Sequence, residues 1–448
     1  MPKLNKQHLT HLLTEYGMIL VLILLGLFFS AVTLTEQRPS GETAGLQVAE
    51  NLKNQLNKDA NVLIASRDLP LDKEFATSLT NALTDSGFHN IFSVTGDPRA
   101  ARAKLDELHD QKIQLQAIAG NQTTADWLVF ADIPSDFHDL GSPTIYGPNV
   151  YKWPNFLKQE NLLNITNQIA VIAIIAIGMT VVIISGGIDL SVGSLIAFSA
   201  VLSCLFIRNV AGGLEATAIG MVLTCFAAIF ITGMIGSFTG SMITAFSIPP
   251  FIVTLGMMMM ASGTAYLLSG GESVYQVPDS FVWLGREASL FGIPNAVFLM
   301  ALLYVLAHVM MSRTKLGRYI YAVGGNPEAA RLSGVPVKRV QLFAYTLSGL
   351  LAGLGGVVMA SQLKSGAPTY GQMYELYVIA AVVVGGTSLS GGEGKIFGTL
   401  IGAFIIAVIQ NGMNLMNIES YTQKVILGMV ILIAVLLDKL KQKSFKLS

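Results

Sequence analysis

The sequence predicts an α-helical polytopic membrane protein of about ten transmembrane helices, with a small α/β domain inserted between helices 1 and 2. Three observations lead there. Of 448 residues, 52% are hydrophobic and 12% charged, where a soluble domain carries about 25% charged residues. Apolar stretches of membrane-spanning length recur from residue 165 towards the C-terminus. Between a first such stretch and these lies a polar block, 36–155. It holds 16 Asp and Glu against 10 Lys and Arg, leaving 12 acids and 18 bases for the rest of the chain.

Residues 1–35 comprise a basic start, MPKLNKQH, and the apolar run Gly17 to Leu34. That run is long for a signal core and sufficient to span, so an uncleaved first helix is expected. In the block 36–155, NVLIAS reads as a strand. DKEFATSLTNALTDSG follows with helical spacing at Phe75, Leu79 and Leu83, and stops at Gly87. NIFSVTG reads as a strand, DPRAARAKLDELHD as a helix and DWLVFADI as a third strand. This alternation predicts a compact parallel-sheet unit. Pro143, Pro148 and Pro154 mark an extended connector back to the membrane. No GxGxxG follows any of these strands, so nucleotide binding there is unsupported.

The permeation domain is expected over 156–438, with spans near 165–184, 190–208, 215–236, 249–268, 293–311, 341–361, 374–389, 396–413 and 421–437. The loop 312–340 carries Arg313, Lys315, Arg318, Arg331, Lys338 and Arg339. The tail 439–448 carries Lys439, Lys441, Lys443 and Lys446, and Lys3 and Lys6 precede the first helix. With ten spans these regions share one side, which the positive-inside rule makes the cytoplasm. Both termini are then cytoplasmic and 36–155 extracytoplasmic.

The chain shows little sign of catalysis. Cys204 and Cys225 fall in apolar runs and suit helix packing. The six histidines are scattered, with no metal-like pair. SGGEGK, Ser390 to Lys395, lacks the Ser or Thr and the first glycine of a phosphate loop. Nothing points to nucleic acid. The expectation is therefore a transport subunit with no catalytic residues, no metal and no cofactor of its own.

Two stretches are alike: VVIISGGIDLSVGSLIAF and AVVVGGTSLSGGEGKIFGTLIGA. Each has an apolar helix, a Gly-Gly, a Leu-Ser and a second helix. Either glycine loops join ordinary helices here, or paired helix breaks mark a pathway. On the second reading Gly186, Gly187, Asp189, Ser191, Glu375, Gly385 and Gly386 are pathway or gate candidates. Asp189 also fits the N-cap of the helix that follows, near the cytoplasmic face. In GNPEAARLSGVPVKR, Asn326 suits an N-cap, Pro327 the first turn, Glu328 the positive helix end and Gly334 the stop. With Ala329, Ala330 and Ser333 this is either an amphipathic loop helix or a coupling helix that docks a cytoplasmic partner. Small residues spaced by four, at Gly236/Gly240, Gly349/Gly353 and Gly398/Gly402, suit close helix packing.

Together NFLKQENLLNI, AIGMTVVIISGGIDLSVGS, IPPFIVTLGMM, AVGGNPEAARLSGV and GGTSLSGGEGKIFGTLIGA resemble the permease subunits of ribose-type ABC sugar importers, in the family's order. The resemblance runs from Asn155 to the C-terminus, with the first helix. It implies ten spans in a bacterial inner membrane among its lipids and two copies forming a pathway for a monosaccharide or similar small polar solute. It also implies a cytoplasmic ATPase that supplies ATP and Mg, engaging the coupling helix, and an extracytoplasmic sugar-binding protein. Three departures stand out: about 115 residues inserted after the first helix, Thr239 where the family often has Asn before Gly240, and Tyr377 where an aspartate is common. An amino-acid or nucleoside permease, or a membrane sensor with an extracytoplasmic ligand-binding domain, are the alternatives.

Overall fold

A computed structural model describes residues 6–446. Residues 1–5, Lys3 among them, and 447–448 lie outside the described residues. The chain forms two compact units, one being Leu34–Pro154 and the other the remainder.

The remainder begins with helix α1 (Lys6–Val32). The inserted unit then opens with β1 (Leu34–Gln37), which pairs antiparallel with its last strand, β6 (Tyr151–Pro154), in the register Leu34↔Pro154. The insert therefore begins and ends in one ribbon. Between them lie α2 (Gly41–Gln55), β2 (Val62–Ser66), α3 (Pro70–Asp85), β3 (Ile91–Thr95), α4 (Pro98–Asp110), β4 (Ala117–Gly120), α5 (Leu128–Ala131), α6 (Ile133–Asp136) and β5 (Thr144–Tyr146). Strands β3-β2-β4-β5 form a parallel sheet in that order. All five residues of β2 are buried, as a central strand covered on both faces requires. The period of two sends Val62 and Ile64 against Phe75, Leu79 and Leu83, and Leu63 and Ala65 against Leu105, Leu108 and Phe130. Asp97 caps α4 by accepting from the N–H groups of Arg99 and Ala100, with Pro98 in the first turn.

One expectation fails here. DWLVFADI is not a strand; it folds as the two helical turns α5 and α6, and the third parallel strand is β4, from QAIAG. A strand would put Leu128 and Phe130 on one face. In fact Leu128 is 79% exposed, and Phe130 and Ile133, three residues apart, are buried together. Helix α2 was not read from the sequence either.

In the larger unit, α7 (Gln159–Ile184), α8 (Val192–Asn209), α9 (Ala218–Phe246), α10 (Pro250–Ser269), α11 (Asn295–Arg313), α14 (Val337–Leu363) and α16 (Ile396–Leu415) are seven helices long and apolar enough to cross a membrane. Shorter apolar helices are Gly17–Val32 within α1, α15 (Tyr374–Val384) and Ser420–Ile433 within α17 (Ser420–Lys446). Two short helices, α12 (Lys315–Gly325) and α13 (Pro327–Leu332), join α11 to α14. The segment between α10 and α11 is fastened to the end of α14. Lys364 pairs with Asp279, holding that carboxyl below its usual range, and Arg286 donates to the Gln362 carbonyl at 2.7 Å.

Helix α7 is almost wholly enclosed, whereas most of α9, α10 and α11 faces outward. Helix α14 lies against α9 at backbone distance. A methyl added at Gly236 would lie 2.4 Å from the Tyr345 carbonyl oxygen, and one at Gly353 would lie 1.9 Å from Thr232 Oγ1. Close approach of this kind replaces the hydrophobic driving force that helices lack in lipid. The expected span 374–389 is cut short: α15 ends at Val384, where Gly386 turns to φ +81°. Eleven residues rise about 16 Å, roughly half a hydrocarbon core.

Candidate functional site

The first helix break runs from Ser185 to Ser191. Helix α7 ends at Ile184, Gly186 takes φ +86°, and the chain turns back. Gly187 passes the Tyr345 ring so closely that a methyl there would lie 2.3 Å from its hydroxyl oxygen. Asp189 is 1% exposed. One of its oxygens, Oδ1, accepts from the Ser191 N–H at 3.0 Å and from the Ser191 hydroxyl at 2.6 Å. The other, Oδ2, accepts from the Ser348 hydroxyl of α14 at 2.8 Å.

Ser348 also fixes the depth. It packs on Gly178, where a methyl would lie 2.8 Å from the Ser348 Cα. Gly178 is six residues before the end of α7, a rise of about 9 Å. The chain thus climbs back into the bundle before α8 begins. Asp189 is not the N-cap of α8, which is Ser191. It closes a turn on Ser191 and reaches across to α14. A carboxylate so far from water needs such partners, and the geometry makes it an anchor between α8 and α14.

The second break follows α15. Gly385 and Gly386 leave the helix, and Gly391, Gly392 and Gly394 all have positive φ. Helices α15 and α16 cross in contact: methyls at Gly385 and Gly402 would lie 2.5 Å from the Gly398 carbonyl oxygen and 2.0 Å from that of Ala381. The two breaks meet. The Gly392 N–H donates to the Ile184 carbonyl at 2.9 Å, and the hydroxyls of Thr180 and Thr399 share a hydrogen bond of 2.8 Å.

A third segment joins them. Gly324, near the end of α12, sits where a methyl would lie 1.6 Å from the Ile184 carbonyl oxygen and 2.5 Å from the Gly392 nitrogen. The Tyr321 hydroxyl donates to the Gly394 carbonyl at 2.8 Å. Both breaks and α12 are therefore one backbone-to-backbone contact. Of this contact, Gly324, Gly392 and Tyr321 are not evident in the sequence, and neither is Ser348, the partner of Asp189. The tandem glycines at 324–325 and 391–392 were the available signal.

Only Asn326 separates α12 from α13. Its side chain accepts from the Ala329 N–H at 3.0 Å, Pro327 opens the helix, and Gly334 ends it at φ +82°. Glu328 and Arg331 pair at 2.8 Å on the outside, and the Ser333 hydroxyl bonds back to the Ala329 carbonyl. Leu332 is 81% exposed, but Ala330 is buried. Every residue of α13 except Ala330 is exposed; Ala330 belongs to its packing.

Glu375 lies away from the glycine contact. It opens α15 and faces the first turn of α8, where a methyl on Gly193 would lie 2.2 Å from its Oε2. The start of α8 therefore carries both acids: Asp189 through Ser191, and Glu375 beside Gly193.

A family model described as branched-chain amino acid transport system / permease component matches residues 161–435. The chain belongs to this permease family. The match runs from α7 into α17 and leaves the α/β insert out. The ribose import permease protein RbsC of Escherichia coli (strain K12) is 43% identical to this permease over 293 residues, covering 64% of this chain and 88% of the relative. The protein of the same name in Bacillus subtilis (strain 168) is 43% identical over 290 residues, covering 64% and 87%. The L-arabinose transport system permease protein AraH of Escherichia coli (strain K12) is 37% identical over 291 residues, covering 65% and 86%. No solved structure matches the permease. These relatives are, by name, permeases for ribose and L-arabinose. The amino-acid, nucleoside and sensor alternatives are not favoured.

Proposed function

We propose that this chain forms the transmembrane pathway of a bacterial inner-membrane ABC importer for a monosaccharide, driven by a separate cytoplasmic ATPase that binds ATP and Mg. The observation that carries this reading is the contact of Gly324 with Ile184 and Gly392. It joins the exposed helix α13 to both breaks through one short, stiff element, so force applied at α13 reaches the start of α8. The basic residues of 312–340 and of the tail put α13 on the cytoplasmic side, where an ATPase would dock. Two copies of the chain complete the pathway in this reading, with lipid on the remaining apolar faces.

The same charge argument puts 36–155 outside, together with the sugar-binding protein that delivers the solute. We assign the insert a docking role towards that protein. It has one parallel sheet with a core on each face, whereas a receptor that closes on a sugar uses two lobes. Proteoliposomes holding this chain, its ATPase and its binding protein test the whole reading. ATP-dependent uptake of a labelled pentose or hexose is expected. Sugar flux that persists without ATP and without the ATPase would refute it.

A further inference from the structure

The turn of α8 that carries the Asp189 anchor also opens onto a cavity of about 470 Å³, within the roughly 300–1,000 Å³ of small-molecule sites. Ser194 of α8, Met259 and Ser262 of α10, Tyr370 and Gln372 of the segment before α15, and Glu375 line it. Hydroxyls, an amide and a carboxylate thus converge beside a flexible thioether. That is the donor and acceptor set a polyhydroxylated solute needs, with an adaptable apolar wall for its C–H face.

Depth makes Glu375 unusual. It stands at the far end of α15 from Gly385, which packs on Gly398 at the start of α16. The rise of α15 is about 16 Å, roughly half a hydrocarbon core, and its first turn faces α8, a helix long and apolar enough to cross a membrane. Acids among such helices are rare and face watery cavities on solute pathways. Among the described residues no cation pairs with this carboxylate, and no other residue's side chain hydrogen-bonds to it. Room for it is made by the missing Cβ of Gly193, where a methyl would also lie 2.6 Å from the Gly371 carbonyl oxygen.

We propose that this cavity is a sugar-binding station inside the permease, in which Glu375 accepts hydrogen bonds from hydroxyls of the passing monosaccharide. The proposal rests on the importer reading and adds that the pathway itself holds the solute. Asp189, 1% exposed and turned towards Ser191 and Ser348, is excluded from that role.

Two measurements test it, with D-ribose and L-arabinose as probes. In membranes carrying Cys204→Ala, Cys225→Ala and Ser194→Cys, labelling by a small methanethiosulfonate reagent is followed with and without sugar. One of the sugars is expected to slow labelling, and Glu375→Gln is expected to weaken that protection about ten- to hundredfold, the loss typical of a charged hydrogen bond. Equal labelling with and without either sugar overturns the proposal, as does slowing by sodium or magnesium salts alone. In intact cells, E375Q is expected to cut uptake about tenfold or more while the ATPase still co-purifies. Normal uptake by E375Q overturns the sugar station and leaves the importer reading standing. If the unmodified chain takes up neither sugar nor any other monosaccharide, the importer reading itself fails.

Discussion

Gly324→Ala perturbs the contact on which the coupling argument depends. The added methyl would lie 1.6 Å from the Ile184 carbonyl oxygen and 2.5 Å from the Gly392 nitrogen. Both neighbours are backbone, so no rotamer can yield. Restoring ordinary van der Waals separation requires α12 to retreat by about 1.5–2 Å. Overpacking of this kind costs about 1–3 kcal/mol. If the loops part instead, the Ile184 carbonyl loses its hydrogen bond, for about 1 kcal/mol more. Helix α13 is left intact, because its cap and its Glu328–Arg331 pair lie beyond the clash. The expected phenotype is therefore specific. The variant inserts and retains its ATPase on co-purification, but ATP-driven uptake falls about tenfold or more. Gly325→Ala is the matched control, because a methyl there meets nothing within 4 Å; it is expected to transport normally. Uptake of G324A equal to that of G325A would show that the contact transmits nothing.

Asp189→Asn is expected to keep both expression and uptake. Its oxygen still accepts from Ser191, and its amide can donate to the Ser348 hydroxyl. Asp189→Ala leaves Ser191 and Ser348 without their acceptor and is expected to lose about 2–4 kcal/mol and most of the protein in membranes; transport lost in the Asn variant at normal expression would instead assign the charge a gating role. Leu332→Arg, on the exposed face of α13, is expected to abolish co-purification of the ATPase without lowering membrane expression, and unchanged binding would remove α13 from that interface. Ala330→Arg would disturb the packing of α13 as well as its surface, because that side chain is buried. Expressed alone, residues 34–154 are expected to melt cooperatively, given a core on each face of the sheet and ends paired as β1 and β6. Calorimetry is expected to show this fragment binding the delivery protein, and tight binding of free sugar would refute the docking role.

Hydropathy alone placed the long helices, because a bilayer demands a continuous apolar run whatever the neighbours are. The loop helix Pro327–Leu332 was legible for a similar reason: caps, a first-turn proline and a terminal glycine are local signals. The insert was half legible. Strand β2, buried on both faces, announces itself by an unbroken apolar run, but β4 is only the four residues AIAG, whose pairing only the sheet reveals. Leu128, Phe130 and Ile133 needed the core to show which of them turn inward. The least legible feature was depth. The sequence shows that Asp189 follows two glycines, but a cap at the surface and an anchor inside the bundle have the same local pattern. What separates them is Ser348, 159 positions away, and Gly178 beneath it. The same holds for Glu375, whose importance depends on the missing Cβ at Gly193, and for Gly324, whose neighbours Ile184 and Gly392 come from opposite halves of the domain. Local chemistry and hydropathy are written along the chain. Which glycine makes room for which distant backbone is settled only when the helices pack.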